Sequence, residues 1–284
     1  NNSATYQCKP DIGQFLQEWT SLYNSHSGER GIFSREASIQ QASKNGRRNP
    51  EFDFGTNPCS EIILRPYQFC NLTEVVVRAE DTPESLANKV RIATILGTFQ
   101  STLTHFPYLR KVWNKNTEDE RLLGVSLTGI LDNKWMGEVN DSTAKHLEQL
   151  RQVAIDTNAD VAGALGIPQA AAITCVKPSG TVSQLVDSAS GIHARHNPYY
   201  IRRIRMDKKD PIYNYLQSKG LHVEDEAMRP DSTAVFSFAI EAPKDAVCRK
   251  DMTAIEQLEL WLTYQRYWCE HKPSVTISVK DEEW

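Results

Sequence analysis

The chain has 284 residues, 40% of them hydrophobic, and a net charge of −4, enough for a sizeable core and without a basic surplus that would draw nucleic acid or an anionic membrane. No apolar run approaches the roughly 18–20 residues that cross a bilayer, and residues 1–6 lack both the basic and the apolar stretch of a signal peptide. The six cysteines, Cys8, Cys59, Cys70, Cys175, Cys248 and Cys269, are scattered without a CxxC or Cys/His cluster. That argues against a zinc site or a disulfide framework and for a reducing cytoplasm.

In chain order, residues 3–6 read as a short strand, and residues 12–22 as an amphipathic helix with Ile12, Phe15, Leu16, Trp19 and Leu22 on one stripe. Residues 25–31 read as loop, 33–42 as a short helix and 45–50 as a polar turn rich in breakers. Residues 71–78 form an expected strand, too apolar at Leu72, Val75, Val76 and Val77 for an exposed edge. Thr82 and Pro83 open a long helix reaching about residue 104. Residues 118–131, apolar nearly all round, are expected to be a deeply buried helix, and residues 141–165 a third helix ending at Gly166.

Strands are then expected at 171–175, 199–205, 233–240 and 275–279. A loop is expected at 177–183, a helical turn at 184–187, and helices at 211–216 and 252–269. This alternation predicts an α/β fold with a parallel sheet, doubly wound or a barrel, in one domain or part of one. The chain starts without Met and stops on an expected strand, so it is expected to be a piece of a longer polypeptide.

Two stretches carry chemistry. Asn57-Pro58-Cys59-Ser60-Glu61 places an amide, a thiol and a carboxylate at alternate positions, and Phe69-Cys70-Asn71-Leu72 brings a second thiol eleven residues after the first. In an extended segment, or at a tight loop tip, Asn57, Cys59 and Glu61 can face one small ligand. Buried cysteines are usually small core hydrophobes, and Cys8, Cys175, Cys248 and Cys269 are read that way. Cys59 differs because its neighbours are polar or loop-forming.

The second stretch is Lys177-Pro178-Ser179-Gly180-Thr181-Val182-Ser183. A strand, a small-residue loop and a helix start make an anion site from backbone N–H groups, with Ser179, Thr181 and Ser183 as further donors and Gly180 permitting close approach. It is not a Walker A loop, and the same residues also suit an ordinary turn with a capping serine. His193 and His196 flank a basic run (Arg195, Arg202, Arg203, Arg205), read as a solvated strand face with a phosphate-facing surface as the alternative.

With both stretches in view, the chain resembles ribonucleotide reductase, and within that family the adenosylcobalamin-dependent (class II) catalytic subunit. The likeness extends over essentially the whole chain. It includes Asn1-Asn2-Ser3-Ala4, Ser27-Gly28-Glu29-Arg30-Gly31-Ile32-Phe33, Leu122-Leu123-Gly124-Val125 and Ser190-Gly191-Ile192-His193. The resemblance implies part of a ten-stranded α/β barrel of two five-stranded halves. Residues 1–284 would form a single partial domain supplying the active-site finger loop and much of the second half.

It also implies roles. Cys59 is the thiyl radical that takes the 3′ hydrogen, Glu61 the general base on the 3′-hydroxyl, Asn57 the ribose-binding amide and Cys70 a reductant that ends in a disulfide. Pro178, Ser179, Gly180, Thr181, Val182 and Ser183 hold the substrate phosphates. The substrate is a ribonucleoside di- or triphosphate, the cofactor adenosylcobalamin, and the product a deoxyribonucleotide for DNA synthesis. The reductant is a thioredoxin-like protein acting through a C-terminal tail. No metal, nucleic-acid or membrane partner is expected.

Departures from the family's pattern matter too. The family's partner for Cys70 lies upstream of anything in this chain, and Cys8 is too near Cys59 to match it. The redox tail, effector-binding region and specificity loop are absent, so the piece alone is expected to be inactive and to expose strand edges. Three alternatives stand beside this reading: a class I large subunit fed by a metal-tyrosyl partner, a non-catalytic phosphate-binding module, and a redox sensor pairing Cys59 with Cys70. For the class I alternative, Tyr199-Tyr200 is the relevant pair, read here as strand packing.

Overall fold

The computed structural model describes residues 9–26 and 31–283; the expected strand at 3–6, Cys8 and part of the 25–31 loop lie outside the described residues. Helix α1 (Ile12–Ser25) begins at Asp11, whose side chain accepts from the Gln14 amide in a capping box. The amphipathic helix forms as expected, but its apolar stripe is uncovered: no residue of α1 is buried, with Ile12 79% and Trp19 53% exposed. Amphipathic spacing settles that a helix forms and which side is apolar, but not what lies against it. Helix α2 (Arg35–Ser43) is capped by Ser34, and its Gln41 amide donates to the Cys269 and Glu270 carbonyls.

A short antiparallel hairpin follows, β1 (Gly55–Thr56) against β2 (Ile63–Leu64), in the register Gly55↔Leu64 and Thr56↔Ile63. Next come β3 (Asn71–Val76), α3 (Pro83–Gln100), α4 (Lys111–Glu120), β4 (Leu123–Thr128), α5 (Asp141–Leu165) and β5 (Thr174–Cys175). Both ends of the long helices follow local rules. Thr82 caps α3 with Pro83 in its first turn, Asn140 caps α5, and Gly166 closes α5 in the left-handed conformation.

Strands β3, β4 and β5 form a parallel sheet, paired Asn71↔Leu123 to Val76↔Thr128 and then Ser126↔Cys175. Val75, Leu123, Val125 and Leu127 pack with Leu86 and Val90 of α3 and Leu147 and Leu150 of α5. Leu260 and Tyr264, together with Trp268, complete this core. They belong to the stretch opened by α8 (Ala254–Tyr267). The alternate positions of β4, Gly124, Ser126 and Thr128, are small, and they face the site described below.

Residues 118–131 are therefore not a helix. Helix α4 stops at Arg121 in the left-handed conformation, and every residue of β4 is buried. A parallel strand covered on both sides reads as an unbroken apolar run. The branched residues at 123, 125 and 127 alternate with Gly, Ser and Thr, and that period of two is the strand signal.

Short helix α6 (Thr181–Leu185) leads to β6 (Tyr199–Asp207), α7 (Pro211–Ser218), β7 (Val223–Asp225) and β8 (Thr233–Glu241). These last strands form an antiparallel sheet in the order β6-β8-β7, where a purely parallel arrangement was expected. Strand β7 is short and largely exposed, so it leaves no pattern to read. The strand expected at 275–279 is absent. That segment is anchored by a single parallel bridge, Val176↔Pro273, with the Ser274 amide on the Val176 carbonyl and the Thr276 amide on His193 Nε2. Its amides go to scattered acceptors, so alternation in the sequence does not become a ladder.

Candidate active site

The β1–β2 hairpin carries residues 57–62 as a tight turn. Ser60 sits at φ 60°, in the left-handed region, and its amide donates to the Asn57 carbonyl at 2.9 Å. The segment is thus a loop tip and not the extended alternative. Asn57 organises it: its Oδ1 accepts from the Ile62 amide at 3.0 Å and its Nδ2 donates to Glu61 Oε1 at 2.6 Å. Cys59 stands exposed at the tip, while Glu61 is fully buried.

A buried carboxylate needs compensation. Lys177 supplies it, its Nζ lying 2.8 Å from Glu61 Oε1. The Glu61 carbonyl accepts from the Lys272 amide at 2.9 Å, which ties the turn to the segment after α8. Both side-chain donors reach the same oxygen of Glu61, and Oε2 is buried with no hydrogen-bond partner. Burial works against the Lys177 ammonium, but the Glu61 hydrogen bond and charge outweigh it, leaving its pKa above the ordinary lysine value. The Cys59 sulfur is near enough to contribute to that rise.

Cys70 packs under the hairpin with Leu64, Leu122, Ala171 and Ala172. Burial pushes its thiol well above the usual cysteine range, against the pull of Arg48 and with a smaller push from Glu61. It is therefore a protonated thiol at neutral pH, a hydrogen donor more than a thiolate nucleophile. Cys59 and Cys70 are both free. Cys175, Cys248 and Cys269 are buried, as expected of core thiols.

The loop at 178–183 follows β5 directly. Lys177 donates its amide to Ser126 Oγ of β4 at 2.8 Å, and the Ser179 amide donates to Ser190 Oγ at 2.9 Å. Gly191, at φ 56°, lies so close that a Cβ there would stand 2.7 Å from the Lys177 carbonyl oxygen; only glycine suits both the backbone angle and the contact. Gly180, Thr181 and Val182 are exposed, and Pro178 and Ser179 half-buried. Ser183 is buried with its hydroxyl donating to the Gly180 carbonyl, so it shapes the loop and does not face outward as a donor. The helical turn starts at Thr181, earlier than expected.

Two site residues escaped the sequence reading. Lys177 was seen only as the lead-in to the loop, although a cation at a strand's end is a usable signal. Glu74 sits on β3 among valines, opposite Ser126. Burial raises its carboxyl, with Ser179, Thr128 and Lys177 pulling the other way. Ser179 Oγ is buried without a well-formed hydrogen bond, so the nearness of Glu74 to it is electrostatic contact more than a bond.

The basic run divides. Arg203 and Arg205 pair with Glu224 and Glu226 on the exposed antiparallel sheet. Arg195 is instead buried, held by Asp132 at 2.8 Å and Asp187 at 2.9 Å, which braces the segment following the loop. Tyr199 is exposed and donates to Glu241, and Tyr200 meets His196 edge-on, so strand packing describes Tyr200 better than Tyr199.

No protein-family profile matches the chain. Individual proteins do. An adenosylcobalamin-dependent ribonucleoside-triphosphate reductase of Euglena gracilis is 30% identical over 231 residues, covering 80% of this chain and 31% of its own length. The protein of the same name from Lacticaseibacillus paracasei is 29% identical over 301 residues, covering 93% of this chain and 39% of its own. The crystal structure of a B-12 dependent (class II) ribonucleotide reductase superposes with a TM-score of 0.70 at 26% identity, over 81% of this chain and 35% of that one. A class Id ribonucleotide reductase alpha subunit of Actinobacillus ureae, at 14% identity and TM-score 0.56 over 92% of this chain and 55% of its own, shares the fold alone. The chain spans about a third of the length of the curated relatives it matches.

Proposed function

Since the chain belongs to the ribonucleotide reductase family, with its matches in the adenosylcobalamin-dependent branch, we propose that its parent protein reduces ribonucleoside triphosphates to 2′-deoxyribonucleotides for DNA synthesis. Residues 1–284 are read as one partial domain of a ten-stranded α/β barrel, with the turn at 57–62 as the finger loop at its centre. A class I large subunit is not favoured, because the relatives named above at more than 25% identity are adenosylcobalamin-dependent or class II.

One observation carries the reading. The turn bearing Cys59 and the loop at 178–183 meet through the 2.8 Å contact between Glu61 and Lys177. A thiol, a carboxylate, an amide and a small-residue anion loop thus converge on one side of a parallel sheet. In this reading the Cys59 thiyl takes the 3′ hydrogen, forming an S–H bond of similar strength to the C–H bond it breaks. Glu61 accepts the 3′-hydroxyl proton while the 2′-hydroxyl, protonated by a thiol of the pair to which Cys70 belongs, leaves as water, a step in which a placed base contributes about 10²–10⁴-fold. Asn57 holds the ribose hydroxyls in line. Cys70, kept protonated by burial, donates reducing equivalents and ends in a disulfide with a cysteine supplied by the rest of the parent. The loop at 178–183 takes the phosphates at its exposed part, through the Gly180 and Thr181 backbone N–H groups and the Thr181 hydroxyl.

The relatives' adenosylcobalamin would supply the radical. The chain presents the thiol on which that radical is made, exposed at the loop tip. A thioredoxin-like reductant and a cytoplasmic setting belong to the same proposal; among the described residues no helix is long and apolar enough to cross a membrane.

The test is deoxyribonucleotide formation by the parent protein with adenosylcobalamin, a dithiol reductant and no second subunit. Activity that vanishes in Cys59→Ser supports the reading. Undiminished activity in that variant would mean the thiols are inert and the chain serves as a phosphate-binding module.

A further inference from the structure

We infer that Lys177 is a positioning residue for the reaction: it pins Glu61 by Oε1 so that Oε2 is the atom presented to the substrate hydroxyl, and it makes that orientation depend on the phosphate loop. The inference rests on the preceding assignment of Glu61 as the base.

Three observations support it. First, the two donors to Glu61, Asn57 Nδ2 at 2.6 Å and Lys177 Nζ at 2.8 Å, converge on Oε1. Oε2 is left buried and unpartnered, although buried polar atoms are nearly always satisfied. An oxygen of this kind is waiting for a donor, and an incoming hydroxyl is one. Second, Lys177 is held at its own backbone by Ser126 Oγ and packed against Gly191, so its ammonium is delivered from a fixed point. Third, the next residue, Pro178, begins the loop assigned to the phosphates. The cation that orients the carboxylate is therefore held directly beside the residues assigned to the phosphates.

The charge balance around Glu61 involves several elements. Lys177 reaches it from the loop and Lys272 from the segment after α8, while the Cys70 and Cys175 sulfurs are within electrostatic range from β3 and β5. Cys59 and Glu74 in turn act on Lys177 or feel it. Lys272 is the other cation in range, but burial lowers its pKa and its bond to Glu61 is made by its backbone amide. Lys177 alone among the described residues is shown donating a charged hydrogen bond to that carboxylate.

The experiment uses the full-length parent with adenosylcobalamin and a dithiol reductant, comparing Lys177→Met, Lys177→Gln, Lys177→Arg and Glu61→Gln. With Lys177→Met, kcat is expected to fall about 10²-fold with KM for the nucleotide changed only a few-fold. Lys177→Arg should recover most of the rate. Lys177→Gln keeps a donor without the charge and must also lose rate in kcat with KM little changed, which protects the test if the methionine variant does not fold. An unchanged kcat in both uncharged variants overturns the inference, and a loss confined to KM does so by making Lys177 a phosphate contact. Full activity in Glu61→Gln instead overturns the underlying assignment, whatever Lys177 does.

Discussion

The Cys70 sulfur lies over the backbone of Gly124, close enough that a Cβ on Gly124 would stand 3.2 Å from it. The same Cβ would meet Leu72 Cδ2 at 2.4 Å and Ile62 Cδ1 at 3.3 Å. Strand β4 therefore needs a residue without a side chain where the thiol and the hairpin pass over it. Gly124→Ala is expected to cost about 1–3 kcal/mol, as overpacking usually does, and to speed alkylation of Cys70 as its cover is pushed aside. Chemical denaturation and the rate of thiol labelling measure both effects. Unchanged values for each would show that the contact yields without strain.

Asn57 reads as a brace for Glu61 before it reads as a substrate contact, because its two side-chain atoms are spent on Glu61 Oε1 and the Ile62 amide. Asn57→Ala should therefore release the carboxylate as well as the turn. A displacement on the order of 1 Å is enough for a loss of about 10²-fold in turnover. Rate measurements on the parent protein check this, and a drop below threefold would place Asn57 outside the machinery.

Arg48 and Glu120 form a two-pronged buried ion pair at 3.0 and 2.9 Å, joined by Gln68 and lying over the Phe54 ring. It clamps the turn at 45–50 to the end of α4. Removing one partner strands a buried charge, so Arg48→Met alone is expected to destabilise by about 3–5 kcal/mol. The double variant Arg48→Met, Glu120→Met should lose clearly less than the two single losses added together. Additive losses in a double-mutant cycle would deny the coupling.

His271 is fully buried, with Nε2–H donating to the Leu123 carbonyl at 3.0 Å and Nδ1 unpartnered. Burial, helped by the Arg48 charge, lowers its pKa to about 3. The unfolded chain takes up the proton near pH 6.5 and the folded chain does not. Stability from this group is thus complete above about pH 6.5 and is lost as pH falls towards 3. Between pH 7 and pH 5 the loss from this histidine alone is about 2 kcal/mol. Denaturation curves at the two pH values should show it, and His271→Gln should flatten that dependence.

The helices with local punctuation were legible from the chain alone. Asn140 at one end of α5 and Gly166 at the other mark it within a residue, because capping depends on neighbours in sequence. Strand β4 was misread because burial on both faces and the flanking Leu122, Ile130 and Leu131 make the stretch look apolar all round, masking its period of two, and the antiparallel sheet was missed because pairing partners lie far apart. The crowding of Asn57, Cys59, Glu61 and Cys70 into fourteen residues was visible for the same local reason that the caps were.

What the sequence settles by itself is this inventory: which side chains share one turn, where helices start and stop, and that a small-residue loop follows a buried strand. Only the tertiary structure decides that Lys177 comes back across 116 residues to meet Glu61, that one carboxylate oxygen is held while the other is buried without a partner, and that Arg195 is braced inside and not solvated. Those outcomes depend on which strand lies beside which, and in what register. Residue spacing along the chain does not encode them, since they follow from how the sheet packs on its helices.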